Sequence, residues 1–350
     1  RNTAVGWTSL SAIVTANDST AVGYNALALD TGGSNTAVGS GALDANTTAI
    51  GNTAIGLNAA GANSTGNYNI AIGHYALSTI TTGSDANIAI GRNALLNQTT
   101  NTDGNVAIGV QAGEAITTGV RHVAIGYLAL QAIVTANDST AVGYNALALD
   151  TGGSNTAVGS GALDANTTGT GNVAIGLSAG GANVGGSQQT AVGASSLGAN
   201  AGNSNTAIGY GSLNAATGAE NTALGAASLD SVAAGANNIG IGFRAGNNIT
   251  SGNSNLVIGN DIDATSSSTS NQMNIGGLLW SQGVSTTTGT GVSTGGLGLG
   301  GMPTAGALLS IETGGVGRNM VTSVGMGIDV EADSIAHTNG TATVAIGATV

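Results

Sequence analysis

Cysteine is absent from the 350-residue chain. That removes disulfides, thiolate metal sites and thiol nucleophiles from consideration. Lysine is absent as well, and the five cationic side chains (Arg1, Arg92, Arg121, Arg244 and Arg318) are scattered. With a formal net charge of −12 and no basic cluster, the chain lacks the patch needed to neutralise phosphates, which argues against nucleic acid as a partner. One proline, one phenylalanine and two tryptophans leave little material for an aromatic core. Charged residues make up only 6%, so the surface must be finished with Thr, Ser, Asn and Gly. No apolar run approaches the roughly 18 residues of a membrane span, and no signal peptide is visible. The chain opens on Arg1 in mid-repeat and reads as part of something longer. Scarce Lys and Arg make a poor trypsin substrate, which suits an extracellular setting.

What the chain has in quantity is glycine, 61 residues, without the Gly-X-Y rule of collagen. Much of it belongs to one phrase, Asn35-Thr36-Ala37-Val38-Gly39, which returns as Asn52-Thr53-Ala54-Ile55-Gly56, Asn69-Ile70-Ala71-Ile72-Gly73 and many more. The closing glycines are Gly6, Gly23, Gly39, Gly56, Gly73, Gly91, Gly109, Gly126, Gly143, Gly159, Gly176, Gly193, Gly209, Gly225, Gly242, Gly259 and Gly276, every interval being 16, 17 or 18 residues. A fixed short period over most of a chain means a solenoid, which grows by adding coils instead of cores. Glycine at the same corner of each coil predicts a sharp turn or a close approach to the neighbouring coil.

Short β-branched runs bounded by Gly, Asn, Asp and Ser predict strands joined by turns, and no apolar set at helical spacing is sustained. In Val106-Ala107-Ile108 and Leu256-Val257-Ile258 three consecutive positions are apolar. Side chains alternate along a strand, so both faces of these strands need cover, as in a doubly covered parallel sheet. A coil of this length encloses room for little more than Ala and Gly, and the other face predicts a second chain. The leucines after the phrase (Leu27, Leu43, Leu77, Leu95, Leu130, Leu147, Leu163, Leu197, Leu213 and Leu229) should stack into an aliphatic ladder. The asparagines that open it (Asn35, Asn52, Asn69, Asn87, Asn105, Asn155, Asn172, Asn205 and Asn221) should form an amide ladder that satisfies turn backbone. The fold expected is all-β: a parallel β-solenoid of about 17-residue coils, rising about 4.8 Å each to a rod of roughly 80 Å.

Two stretches, Ala12–Thr48 and Ala132–Thr168, are identical over 37 residues, which reads as a duplication that a whole number of coils accommodates. Residues 1–276 form the array. From 277 to 350 the period fails: Ser285–Gly301 is rich in Ser, Thr and Gly, while Leu308–Glu312 and Met326–Val330 look like ordinary strands. This part reads as a neck and the start of a second β module.

Candidate chemistry is thin. The 17 carboxylates are spread out, and Asp18, Asp30, Asp44, Asp138, Asp150 and Asp164 lie in or beside turns. Asp30 and Asp44, about one coil apart, are the pair that could converge as a glycosidase needs, with turn formation as the plainer role. Asp261 and Asp263 lack the closing Glu of a calcium loop. His74, His122 and His337 have no second ligand at useful spacing, His74 and His122 reading as surface or interface residues. Gly240-Ile241-Gly242 belongs to the repeat and not to a phosphate loop. Asn46, Asn63, Asn97, Asn166 and Asn248 begin sequons of the kind an Asn/Thr-rich chain contains by chance. Tyr24, Tyr127, Tyr144, Tyr210 and Phe243 follow the phrase glycine; packing at the coil corner is expected of them ahead of sugar stacking. No catalytic residue, cofactor or metal is expected.

The phrase Asn-Thr-Ala-Ile-Gly followed by Ala-Leu resembles the YadA-like head repeats of trimeric autotransporter adhesins. It is even more similar to the repeat arrays of bacteriophage tail fibres. Asn274–Leu278 followed by Gly296–Pro303 resembles the stretch that leads those fibres towards a self-cleaving C-terminal chaperone. The likeness is strong over 1–276 and loose beyond. The adhesin head repeat is shorter, and neither the adhesin membrane anchor nor the chaperone's catalytic motif is present. The resemblance implies a left-handed β-roll in a homotrimer, and a structural, adhesive fibre on a virion or cell surface. Its implied partners are itself, other virion or appendage proteins, and a host-surface glycan or protein. Ligand contacts are then expected in the loops Asn63–Asn67, Asp150–Ser154, Asn183–Gln189 and Asn200–Asn205, at Asn63, Asp150, Asn183, Gln188 and Asn200. The alternatives are a bacterial or archaeal adhesin or filament subunit and, behind them, a polysaccharide-cleaving tailspike. An ice-binding solenoid fits less well, because Thr gives way to Ile or Val at Ile70, Ile88, Val106 and Val123.

Overall fold

A computed structural model of the chain describes residues 1–282 and 297–299. Each phrase is a three-residue strand, from β1 (Thr3–Val5) through β8 (Val123–Ile125), β9 (Thr140–Val142) and β16 (Leu256–Ile258); β17 (Gln272–Ile275) has four residues. These strands stack in chain order into one parallel sheet, like position on like position: Thr3 pairs with Thr20, Ala4 with Ala21 and Val5 with Val22. One strand per coil makes the molecule a β-solenoid of about 16 turns, and the described residues contain no helix. After β17 the order changes. β18 (Leu279–Gln282) and β19 (Leu297–Leu299) join the sheet antiparallel, just where the glycine period ends. The strands expected at Leu308–Glu312 and Met326–Val330 lie outside the described residues.

The middle residue of the strand points inward. Ala21, Ala37, Ala54, Ala71 and their counterparts are fully buried, and the leucines after the phrase stack beside them as the core ladder. These leucines sit in left-handed backbone, with φ near 50° at Leu27, Leu43 and Leu213. An L residue there costs roughly 1–2 kcal/mol. Full burial of a leucine returns roughly 1.5–3 kcal/mol, which explains why the strained position keeps its side chain. At one lapse of the column the lost volume is made up by a neighbour. Gly246 takes a leucine position, and Val257 replaces alanine in the coil above with Cγ2 3.3 Å from where a Gly246 Cβ would stand.

The closing glycines carry φ of 125–146° from Gly6 through Gly259 except at the sheet's last coil, where Gly276 has φ 60°. At Gly126 a Cβ would lie 2.3 Å from the carbonyl oxygen of Gly143. Both reasons expected for this glycine therefore hold together: a backbone angle closed to side chains, and a coil stacked directly on it.

Candidate functional site

Two features run the length of the rod, one inside and one outside. The outer one follows from strand alternation. With alanine turned inward, the first and third strand residues face out. The third is aliphatic in all seventeen coils, from Val5 through Val38, Ile55, Ile108, Ile125, Val158, Ile175, Ile208, Leu224 and Ile241 to Ile275. Ile55, Ile175 and Leu224 are 40%, 43% and 47% exposed. The residue after the closing glycine is often large and exposed too: Trp7, Tyr24, Leu57, Tyr127, Tyr144, Leu177, Tyr210 and Phe243. These rings do not pack into a coil corner as the sequence suggests. They stand outward, and Tyr127 and Tyr144 stack on one another at 5.5 Å and 8°. Contiguous apolar patches beyond a few hundred Å² are rare on a monomer and mark contact surfaces.

The inner feature is a ladder of seventeen rungs, one per coil and buried from Ser19 onward: Asn2, Ser19, Asn35, Asn52, Asn69, Asn87, Asn105, His122, Ser139, Asn155, Asn172, Gln189, Asn205, Asn221, Asn238, Asn255 and Gln272. Each side chain up to Asn255 accepts the backbone N–H of the rung above. Asn69 Oδ1 takes the Asn87 N–H at 2.9 Å, and Asn221 Oδ1 takes the Asn238 N–H at 2.9 Å. The amide also donates to a turn carbonyl, as Asn221 Nδ2 does to Gly235 at 2.9 Å. The expected asparagines are all in it. Ser19, Ser139, Gln189 and His122 were not legible as members by residue type; reading the position before each strand would have found them. His122 is thus buried inside the coil, against the surface or interface role expected of it, while His74 is exposed.

Three of the five loop positions expected to face a ligand are inside instead. Asn63 and Asn183 are buried and clamp their own turns: Asn63 Oδ1 accepts the Gly66 N–H at 2.9 Å, and Asn183 Oδ1 accepts the Gly186 N–H at 3.0 Å. Asp150 is fully buried, accepting from Gly152 N at 3.0 Å, Asn155 Nδ2 at 3.2 Å and Asn166 Nδ2 at 2.8 Å. Burial pushes its carboxyl above the usual carboxylate range, against the opposing effect of those donors. These residues share an inner column with Ile80, Gln98, Ile116 and Ile133, so part of each loop faces the interior and not solvent. Gln188 and Asn200 are exposed. Even these are engaged between coils: Asn200 Oδ1 accepts the Val184 N–H at 3.0 Å and Gln188 Oε1 accepts the Ser204 hydroxyl at 3.3 Å.

The carboxylate pair fares no better as a catalytic couple. Asp30 is fully buried, held by the Ser19 hydroxyl, Gly32 N–H, and the amides of Asn35 and Asn46, and so has no oxygen free for a groove. Asp44 is half-buried, its carboxyl pushed up by burial. Asp261 pairs with Arg244 at 3.4 Å. Among the described residues no group of three or more His, Cys, Asp or Glu is placed to hold a metal ion. No protein-family model and no curated protein matches the chain.

Proposed function

We propose that the chain is the shaft of a homotrimeric extracellular attachment fibre, of the kind phage tail fibres use to space and present host-binding surfaces. The observation that carries this reading is the uninterrupted aliphatic column on the outer face of the sheet. A surface repeating every coil over seventeen coils is matched along its whole length only by a partner with the same rise, and a second copy of this chain has it. The column contains no charge, so three copies can bring their columns together without burying unpaired ions. Stacked strands then give stiffness. Weak contacts from the outward loops, including those at Gln188 and Asn200, add by avidity when three copies present them at each level. Asp30 and Asp150 are turned inward and Asp138 and Asp261 are paired with arginines, which supports a structural and adhesive role over a catalytic one.

Immunogold labelling with antibodies raised against the purified chain tests the setting. Gold along the tail fibres of virions from the source material is expected. Gold on the surface of cells would favour the adhesin reading in its place, and gold on neither would overturn both.

A further inference from the structure

One rung of the buried ladder can reverse its hydrogen-bonding polarity. The other sixteen are Asn, Ser or Gln, which do not titrate. His122 Nδ1 accepts the Ser139 N–H at 3.2 Å, so the ring proton belongs on Nε2, which meets the Ala136 carbonyl at 2.7 Å. In this neutral form the imidazole copies an asparagine: one acceptor upward, one donor to the turn. The backbone N–H of His122 completes the rung by donating to Asn105 Oδ1 at 2.9 Å. A second proton on the ring must sit on Nδ1, directly opposite the Ser139 N–H. Two donors then face each other, and a charge lies in a buried position.

We propose that the junction between the coils of β8 and β9 is an acid-sensitive seam in the rod, opened locally by protonation of His122 while the other rungs hold. This does not rest on the fibre reading and stands or falls separately from it. The charged groups around the ring are Arg121, Asp138 and Asp150. Asp138 and Asp150 both favour an imidazolium, but Asp138 is engaged by the Arg121 guanidinium at 2.6 and 2.8 Å. Burial outweighs them and holds the imidazole below the ordinary histidine range. The unfolded chain therefore takes up the proton first, and the seam weakens as pH falls below the ordinary value of 6.5. Asp150 acts with the opposite sign: its raised pKa means that protonation near the carboxylate range relieves a burial cost. Loss of protection that sets in as pH falls below the ordinary histidine value is thus a histidine signature and not a carboxylate one.

The test is amide hydrogen exchange on the full chain at about pH 7.5 and about pH 5, corrected for the intrinsic pH dependence of exchange. Ser139 and its flanking amides should lose protection on the order of tenfold in acid, the scale of one ordinary hydrogen bond, relative to the Asn155–Asn172 junction. His122→Asn should abolish the difference. Asparagine at Asn2 already makes this contact to Ser19 at 3.0 Å in the sister coil, so the backbone accommodates it. Asn172→His should create a second seam at its own junction. Equal acid response at both junctions in the native chain, or a response that persists in His122→Asn, would overturn the proposal. So would an imidazole that NMR shows titrating at or above the ordinary value.

Discussion

At the scale of single residues, the repeated glycine and the ladder of leucines differ in what fixes them. Gly126→Ala places a methyl group against the Gly143 carbonyl at 2.3 Å in backbone with φ 137°. Backbone cannot yield as a flexible side chain can, so a loss above about 4 kcal/mol is expected, in the range reserved for steric breakage. Gly104→Ala is the matched control: φ is 68° with nothing within 4 Å, and a loss of about 1 kcal/mol from the backbone angle alone is expected. Urea unfolding of both variants checks the pair; equal losses would show that the stacked carbonyl contributes nothing. A third residue points the other way. Gln98 is fully buried between Ile80 and Ile116 of the adjoining coils, and neither its Oε1 nor its Nε2 has a hydrogen-bond partner. Gln98→Ile should raise stability by about 1–3 kcal/mol by removing two orphaned polar atoms, read as a higher urea midpoint. A lower midpoint would contradict it.

The glycine column was readable from its period alone, because no other residue recurs so strictly. The left-handed leucines were not. Nothing in Ala26-Leu27 distinguishes an ordinary core leucine from one held at φ 50°, since burial permits a residue that local preference disfavours. Gln98 was equally hidden, because only the neighbouring coils reveal its column as apolar.

At the scale of elements, the ladder is what ties coil to coil inside the rod, alongside the strand bonds. Asn221→Leu should be costly despite its similar volume. It strips the acceptor from the Asn238 N–H and the donor from the Gly235 carbonyl, and each buried group left unpaired costs roughly 1–3 kcal/mol. Faster hydrogen exchange confined to the strands on either side (Thr206–Ile208 and Ile239–Ile241) is expected. Exchange unchanged there would mean the rung is dispensable. Most of this element was visible in the sequence, since an asparagine before each strand recurs with the period. What misled was residue type. Asn63, Asp150 and Asn183 looked like solvent-facing turn residues because Asn and Asp usually are, whereas a solenoid with one strand per coil must turn part of every loop inward to fill its interior.

For the whole molecule, the aliphatic column outside the sheet decides the account. The sequence carried this face in full: three apolar residues in a row cannot all be served by one small interior, and the structure turns alanine in and leaves the flanking Val and Ile half-exposed. Opposing that face with charge should separate the copies. Ile108→Glu combined with Ile125→Glu, two outward positions in adjacent coils, should lower the extent of assembly while the far-ultraviolet circular dichroism of the coils persists. An assembly unaffected by both would place the contact elsewhere.

The most direct measurement is the mass of the native chain in solution by sedimentation equilibrium. Three copies of the 33.1 kDa chain, at a mass that does not fall on dilution through the micromolar range, is the predicted result. A folded monomer of 33.1 kDa with its sheet face open to water would contradict the account.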